Sequence, residues 1–491
     1  MITISFVIVL LCTYLVCKYY LNRRVKPPGP WGLPFIGYLP ALLHQHSLRK
    51  LYAKLSRRYG DVFQLRVGCQ TIVVLSSVEA ATEALRRPEF SARSDTFMAQ
   101  IMRQVGERNL MFASGKRWME SRKIAQKALG LFSSSGNLGL QQQAQICLEW
   151  LIDQWSNDVE RPLVSKEKLM RCAGALMSSL TFGNQYNPTD PYLDILFTVP
   201  ATFIQELSTK FWILDYFPWL APYFSKDKKR LIKILEEFVE FILGQVARYN
   251  PGDRVVTIAD SLRQCESIKP TAEEREVVRS IAIDLFDGGF FTTAENTEWL
   301  LLIMAVYPEV QARVHQEIDE LIEADRLPQL SDQLPYTRCC VYEGLRWAST
   351  SALGLAHATT TEVRLRGHVI RPGSHVIPNL WAMNRDPSVF SRPHDFDPTR
   401  FLLSDPIDGL KIDQELVEKI SSFSFGKRHC PGKWIGRQTV FLMFAAIMQH
   451  FQIELDRSSV DDNFMDGIET SGMLSPPNHR ITLTKRSKSQ K

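Results

Sequence analysis

The chain has 491 residues, of which 45% are hydrophobic and 23% charged, and its formal net charge is +5. This composition excludes a largely disordered chain, and so small a charge for this length does not indicate a nucleic-acid-binding protein. The nine cysteines form no Cys-x-x-Cys pair or zinc-spaced cluster, a pattern typical of a reduced, cytosol-facing protein rather than a secreted one.

The N-terminus predicts a membrane anchor. Residues 2–17 are apolar and uncharged, and the apolar character continues past Lys18, close to the ~20 residues that a membrane-spanning helix needs. Three basic residues follow between positions 23 and 26, and this asymmetry predicts that the remaining chain stays cytosolic. We expect a retained transmembrane signal anchor over 1–22 rather than a cleaved signal peptide.

The domain organisation after the anchor is predicted to be simple. A basic, proline-rich hinge over 23–34 should stay extended because proline blocks helix continuation. No second linker, internal repeat or low-complexity block follows, so a single catalytic domain is expected over 35–491.

The periodicity of this domain predicts a mainly α fold with a small β portion. Residues 60–77 alternate around a glycine, as in a β-hairpin, and helical spacing dominates residues 78–350. Residues 357–379 predict short strands around a Pro-Gly turn, a helix is expected directly after Cys430, and the final RITLTKR segment has the pattern of a strand.

The segment FWILDYFPWLAPYF (211–224) holds seven aromatic residues and two prolines. Two interpretations remain open for it. It forms buried helix ends, or it presents an apolar surface that dips into the membrane holding the anchor.

One cysteine lies in a basic, glycine-rich loop. The segment SSFSFGKRHCPG (421–432) places Cys430 beside Lys427, Arg428 and His429, just ahead of the predicted helix. Backbone N–H groups and nearby cations stabilise a thiolate, which is the form that binds metal or attacks a substrate. The residues alone leave open a metal ligand, a nucleophile or a structural cysteine.

The spacing Phe423-x-x-Gly426-x-Arg428-x-Cys430-x-Gly432 resembles the haem-binding loop of the cytochrome P-450 superfamily. The anchor, the hinge and the aromatic segment are similar to those of animal microsomal, membrane-anchored members. The resemblance implies the cytochrome P-450 fold, and haem b (iron protoporphyrin IX) with the Cys430 thiolate as axial ligand, an arrangement that favours O–O cleavage. The glycines allow a tight turn and close approach to a flat cofactor.

A second pattern strengthens the resemblance. Glu343 and Arg346 are three residues apart, on one face of a predicted helix, and Arg400 lies in a downstream Phe-x-Pro-x-Arg-Phe segment. Thr399 stands where the family usually has Glu. The resemblance implies that Glu343, Arg346 and Arg400 form a buried structural triad, in which guanidinium groups fork onto a carboxylate.

Further residues match family positions that bind the haem propionates. Trp118 and Arg122 share one helix face at i,i+4 spacing, and Arg428 and His357 match positions with the same role. Arg93 matches more loosely. The resemblance therefore implies a ring of cationic and N–H donors around two cofactor carboxylates.

The oxygen-activation helix matches the family with one departure. Residues 288–293 read Gly-Gly-Phe-Phe-Thr-Thr, and the paired glycines suggest room above a ligand and a local widening of the helix. Gly289 is expected at the cofactor, and Thr292 and Thr293 match catalytic threonines that assist oxygen activation. Phe291 replaces the usual acid, and a phenyl ring cannot relay a proton.

Four explanations for this missing acid remain open. Asp287 or Glu295, each one turn from Phe291, takes over its role, water alone delivers protons, or the reaction needs less proton delivery.

The resemblance implies a haem-thiolate monooxygenase that inserts one oxygen atom from O₂ into a lipophilic substrate, such as a sterol, fatty acid or xenobiotic. Electrons would come from NADPH through the membrane-bound NADPH–cytochrome P-450 reductase, with cytochrome b5 as a second possible donor, because the chain has no flavin or NADPH motif. The implied location is the endoplasmic reticulum membrane, with one membrane-spanning helix, contact with lipid, and the catalytic domain facing the cytosol. No nucleic-acid partner is expected.

Two alternatives stay open. A cytochrome P-450-fold isomerase or dehydratase acting on a peroxide would need no reductase, and the loss of the acid at Phe291 favours it while Thr292 does not. A non-catalytic haem sensor or carrier is the other. Apolar residues on variable loops are expected to line the substrate pocket, and they are Phe97, Met102, Phe203, Phe211, Met473 and Leu474.

Overall fold

The computed structural model describes residues 25–45, 47–106, 109–134, 138–183, 186–248, 256–265, 271–405 and 409–486. The predicted signal anchor over 1–22 and the first residues of the hinge lie outside these ranges. No helix within the described ranges is long and apolar enough to cross a membrane.

Helices make up most of the described chain, so the prediction of a mainly α fold is confirmed. They are α1 (Leu39–Leu43), α2 (Leu48–Tyr59), α3 (Val78–Leu85), α4 (Phe97–Val105), α5 (Gly115–Ser134), α6 (Leu138–Ser156), α7 (Lys166–Phe182), α8 (Tyr192–Glu206), α9 (Ser225–Ala247), α10 (Ile258–Arg263), α11 (Ala272–Val306), α12 (Pro308–Leu321), α13 (Pro335–Ala348), α14 (Leu380–Met383), α15 (Gln414–Glu418) and α16 (Lys433–His450).

The strands are short and form small sheets. They are β1 (Val62–Val67), β2 (Gln70–Leu75), β3 (Ala92–Arg93), β4 (Pro162–Leu163), β5 (His357–Ala358), β6 (Val363–Leu365), β7 (His368–Ile370), β8 (His375–Pro378), β9 (Leu402–Asp405), β10 (Gly409–Ile412), β11 (Phe451–Leu455), β12 (Ile468–Thr470), β13 (Met473–Ser475) and β14 (Ile481–Lys485). The predicted hairpin, the strands around the Pro-Gly turn and the C-terminal strand are all present.

The largest sheet brings distant residues of the sequence together. Its order is β1-β2-β8-β5-β3, with β2 and β8 parallel and the other neighbours antiparallel. The register of β3 and β5 places Arg93 opposite His357. Two residues that are far apart in the chain therefore become cross-strand neighbours.

Helix α11 is the central element of the core. A capping box formed by Thr271 and Glu274 begins the helix, and Pro308 lies just beyond its end at Val306. It packs against α7, α13 and α16, and its apolar residues belong to the main hydrophobic core. The helix is α-helical without interruption, so the local widening expected at Gly288–Gly289 is absent.

The aromatic segment 211–224 divides between the two interpretations. Phe211 and Leu214 are buried, whereas Trp219 and Tyr223 are 65% and 82% exposed. Part of the segment is therefore buried and part is exposed, because its turns face the core and the solvent in succession. Contact of the exposed part with a membrane stays a prediction.

Candidate functional site

A large cavity lies between α11 and the loop that carries Cys430. Its empty volume is about 1470 Å³, including the part open to solvent. Its lining includes most of the residues singled out from the sequence, namely Arg93, Trp118, Arg122, Gly289, Thr292, Thr293, His357, Phe423, Arg428, Cys430 and Gly432.

The loop holds Cys430 by backbone contacts. The Cys430 N–H donates to the carbonyl of Phe423 at 2.8 Å, and α16 begins three residues later, as expected. Gly426 has a φ of +70°, and a Cβ there would lie 2.0 Å from the Leu85 carbonyl oxygen. Gly426 is therefore required by loop packing. It is not among the residues that line the cavity, and its contact with a cofactor stays a prediction.

Burial raises the pKa of the Cys430 thiol. The Gly432 N–H and the charges of Arg122 and Lys433 act in the opposite direction but do not outweigh it. The expectation that the loop alone stabilises a thiolate is therefore only partly met. A bound metal cation would favour the deprotonated sulfur, because metal ligation requires the thiolate form.

Three arginines gather at one side of the cavity. Arg428 donates to the carbonyls of Ser91 at 2.8 Å, Leu110 at 3.1 Å and Ala113, and its guanidinium lies 3.8 Å from the centre of the Trp118 ring. Arg93 and Arg122 complete the group. The Trp118 ring thus supports a cation, as in a cation–π contact.

Arg93 and Arg122 are held in a similar way. Arg93 donates to the carbonyls of Met111 and Leu355, both at 2.9 Å, while Arg122 donates to the carbonyl of His429 at 2.8 Å. The Nε of Arg122 is buried and has no hydrogen-bond partner.

The charges of this cluster are not balanced by acids. Within the described ranges none of the three arginines forms an ion pair with a carboxylate. Burial, followed by repulsion from Arg93 and Arg122, lowers the pKa of Arg428 to about 8, and burial lowers that of Arg93 to about 10. Burial also lowers the pKa of His357, whose Nδ1 lies 2.8 Å from the Phe90 carbonyl. The cluster therefore suits a ligand with negative charges.

The opposite wall of the cavity belongs to α11. The Thr292 hydroxyl donates to the Gly288 carbonyl at 2.7 Å, and Thr293 is buried beside it. A Cβ at Gly289 would lie 2.4 Å from the Met177 Cε, so this glycine permits close packing of α11 on α7. Gly289 lines the cavity as well, and its predicted contact with the cofactor stays a prediction.

Neither carboxylate suggested for the missing acid lines this cavity. Glu295 is buried and its Oε1 lies 2.7 Å from the Lys166 ammonium, outside the site. Burial raises the pKa of Asp287 to about 6. Phe291 packs against the main core, so the position of the missing acid itself does not face the cavity.

A chain of neutral polar groups lies beside Thr292 instead. The Asn296 Nδ2 donates to the Thr292 carbonyl at 2.6 Å, and the Thr350 hydroxyl donates to the Asn296 Oδ1 at 2.9 Å. All three residues line the cavity. The sequence carried no signal for this chain, since Thr350 follows a different helix.

Asp284 is an acid in the lining that sequence reasoning missed. Its Oδ2 accepts a hydrogen bond from the Leu110 N–H. Burial raises its pKa to about 7, with a further contribution from Asp287, while the N–H groups of Leu110 and Met111 oppose the rise. A lone acid within the apolar run IAIDLF was the available signal.

Glu343, Arg346 and Arg400 meet in the core. Glu343 accepts two hydrogen bonds of 2.7 Å from Arg346 and two of 3.1 Å from Arg400. Glu343 and Arg346 are fully buried, and the Asp397 N–H also donates to Glu343 at 2.9 Å. The remaining donors of Arg346 go to the backbone of the segment after α14.

The expected substrate-pocket residues are not found in the lining. Phe97, Met102, Phe203 and Phe211 form a separate apolar cluster, and Leu474 faces a different cavity. Met473 is also absent from the lining. Phe97 and Phe211 stack on each other, with ring centres 4.8 Å apart, so a role in substrate binding stays a prediction for these residues. The apolar lining of this cavity comes from Leu110, Met111, Leu129, Met177, Ile258, Leu285 and Leu355.

Comparisons with known proteins bear on this arrangement. The family described as Cytochrome P450 matches residues 27–483. Cytochrome P450 1A1 from Rattus norvegicus is 31% identical over 468 residues, which cover 90% of this chain and 87% of that protein. The proteins of the same name from Canis lupus familiaris and Opsanus tau are 30% and 31% identical, covering 89% and 87% of this chain and 86% and 85% of theirs.

Proposed function

The chain belongs to the cytochrome P450 family, and from this premise we propose that it oxidises a lipophilic substrate with electrons delivered by an NADPH-dependent reductase. As a cytochrome P450 monooxygenase it uses haem b with a cysteine thiolate as axial ligand. Bound haem supplies the activation of O₂. The observation that carries the proposal is one cavity lined by both Cys430 and the Gly289–Thr293 stretch of α11.

We assign the thiolate ligand to Cys430. Its backbone is fixed by Phe423, and Gly432 leaves the space beside the sulfur open, since a Cβ there would lie 4.0 Å from Sγ. The residues present fit the cofactor, because the three arginines lack acids and the buried Arg122 Nε lacks an acceptor. Arg93, Arg122 and Arg428, with Trp118 and His357, would hold its carboxylates.

Proton delivery is assigned to water ordered by Thr292, Asn296 and Thr350. Their hydrogen bonds form a neutral chain along the cavity wall, where a carboxylate relay is missing. This supports the interpretation that water alone replaces the missing acid. Thr293 is buried next to Thr292 in α11. Its backbone carbonyl accepts a hydrogen bond of 2.9 Å from the Thr297 hydroxyl.

A lipophilic substrate agrees with the apolar side chains in the lining. Methionine and leucine side chains such as Met111, Met177 and Leu285 can adapt to molecules of different shape. Sterols, fatty acids and xenobiotics all offer the apolar surface that such a lining binds. Asp284 adds one polar group at which a substrate can be oriented.

A basic surface on the cysteine side is the proposed docking site for the reductase, and for cytochrome b5. Lys116 at the start of α5 is 87% exposed, and Lys123 and Lys427 are also exposed. Arg117 lies on α5 as well, and Lys433 is the first residue of α16, where it pairs with Glu418. Charge complementarity of this kind accelerates association with an acidic partner.

An apolar surface supports a location at the endoplasmic reticulum membrane, with the catalytic domain cytosolic. Trp219 and Tyr223 are exposed, as is Phe35 at 84%. The β1–β2 turn holds the segment of Phe35 close to the aromatic segment 211–224. The Gly68 N–H donates to the Ile36 carbonyl, and the Cys69 N–H donates to the Tyr216 carbonyl. Apolar side chains near a proposed single-pass anchor over 1–22 suit contact with lipid.

The direct test is the spectrum and the turnover of the full-length protein. We expect the reduced carbon-monoxide adduct to show the red-shifted absorption of a thiolate-ligated haem, and Cys430→Ala to lose it while Cys147→Ala keeps it. Absence of the red-shifted band in the unaltered protein would refute the assignment.

Turnover separates the three functions considered. We expect substrate oxidation only with NADPH and reductase present. Turnover of a hydroperoxide without reductase would instead support an isomerase or dehydratase, and haem binding without any turnover would support a sensor or carrier.

A further inference from the structure

A second cavity lies beside the C-terminal end of α13. Its empty volume is about 710 Å³, including the part open to solvent. It shares no lining residue with the cavity lined by Cys430, which is the proposed cofactor cavity. Cations and tryptophans dominate its lining, among them Arg49, Lys50, Arg385, Trp299, Trp347 and Trp381.

Arg385 is a cation without a counter-ion in this cavity. It donates to the Trp347 carbonyl at 2.6 Å and to the Ser349 hydroxyl at 3.4 Å, and its guanidinium lies 4.3 Å from the centre of the Trp381 ring. No Asp or Glu in the described ranges forms an ion pair with it. Burial, with repulsion from Arg346 and Arg49, lowers its pKa well below the usual range.

Arg49 supplies an unused donor. Its side chain is 3% exposed, pairs with Glu469 at 2.7 Å and donates to the Asp466 carbonyl at 2.6 Å. Its Nε has no hydrogen-bond partner. The guanidinium lies 5.5 Å from the centre of the Trp381 ring, so Arg49 and Arg385 approach the same aromatic side chain.

The charges around the cavity leave an excess of one positive charge. Glu469 neutralises Arg49, and Asp466 neutralises Lys50 at the rim. Arg385 forms no ion pair with an acid in the described ranges, although the charges of Glu343 and Asp466 favour its charged form. Arg385 is half-buried, and a cation partly withdrawn from water without an ion-paired acid is costly. An anion entering the cavity would reduce that cost.

We propose that this second cavity binds a small carboxylate with a flat apolar body, such as an aromatic carboxylate. Arginine forks match the two oxygens of a carboxylate, and the Arg385 guanidinium and the free Arg49 Nε are the donors available. Tryptophan side chains offer flat apolar surfaces to a ring. The two cavities are separate, so this site is independent of the proposed function.

Calorimetric titration of the full-length, haem-loaded protein tests the proposal with three matched probes. We expect benzoate to bind once per chain, about tenfold more tightly than benzamide, which has the same ring without the charge. Acetate, which has the charge without the ring, should also bind more weakly than benzoate. The Soret band should not change, because benzoate binds outside the cofactor cavity.

Three variants locate the binding. Arg385→Lys keeps a charge but loses the fork, and should weaken benzoate binding about tenfold. Lys50→Ala changes an exposed rim residue and should weaken it about twofold, which keeps the test valid if Arg385→Lys does not fold. Arg58→Ala, exposed at the far end of the same α2 helix, is the control and should bind normally.

Three outcomes would overturn the proposal. They are equal affinity for benzoate and benzamide, unchanged benzoate affinity in both Arg385→Lys and Lys50→Ala, and a Soret shift caused by benzoate. The carbon-monoxide spectrum of Cys430→Ala tests the proposed cofactor site in the first cavity. Its outcome does not affect the test of benzoate binding in the second cavity.

Discussion

Asp284 carries a carboxylate that is buried against the backbone of Leu110 and Met111 in the cavity lined by Cys430. Its folded pKa of about 7 lies above the ordinary value of 3.8, so the folded protein binds more protons than the unfolded chain between these values. The free energy of unfolding contributed by this group therefore falls as pH rises through that window.

The variant Asp284→Asn should remove this dependence, because the amide oxygen can still accept from Leu110 but the group does not titrate. We expect the variant to gain stability relative to the unaltered protein as pH rises from about 4 to about 7. Urea unfolding at several pH values measures this. Parallel pH curves for the two proteins would show that Asp284 is not buried as described.

At the scale of elements, the turn at Gly426 packs the cysteine loop against the C-terminal end of α3. A side chain at Gly426 would meet the Leu85 backbone, and its φ of +70° is unfavourable for other residues. Gly426→Ala should therefore lower the free energy of unfolding by about 1–3 kcal/mol and weaken haem retention.

The matched control for this variant is Gly130→Ala. Gly130 lies inside α5 with no atom near its missing Cβ, so the change should be neutral or stabilising by up to about 1 kcal/mol. Equal stability of the two variants would contradict the packing of the loop on α3.

The ion-pair triad joins α13 to the segment carrying Arg400. Replacing Glu343 by Gln leaves two buried guanidinium groups without a counter-charge, and we expect the free energy of unfolding to fall by about 3–5 kcal/mol. Denaturant unfolding measures the loss. Glu237→Gln removes a pairing with Lys233 in which both side chains are exposed, and should change stability by less than about 1 kcal/mol.

At the scale of the whole molecule, the exposed aromatic residues of two chain segments meet around the β1–β2 turn. If this surface contacts lipid, the double variant Trp219→Ser, Tyr223→Ser of the full chain should show less tryptophan quenching by vesicles of brominated lipid. Leu321→Ser, an exposed apolar side chain on α12, should leave the quenching unchanged. Equal quenching in all three proteins would place the membrane surface elsewhere.

Local sequence patterns were sufficient to predict several secondary-structure elements and two of the motifs. The period of apolar residues predicted the helical domain, the β1–β2 hairpin and the helix after Cys430, because burying one face of an element requires that period. Short motifs with fixed spacing identified Cys430 and the Glu343–Arg346 pair, since residues within one loop or helix turn remain neighbours in the fold.

Contacts between distant segments could not be predicted in this way. The side chains lining the cofactor cavity, the Thr292–Asn296–Thr350 chain and the second cavity depend on how α11, α13 and the sheet pack together. Burial also raises the pKa of the Cys430 thiol, and it places Phe291 against the core. The sequence by itself determined the family and the local elements, whereas dielectric environment and side-chain direction arise only from tertiary packing, because both depend on neighbours that are remote in the chain.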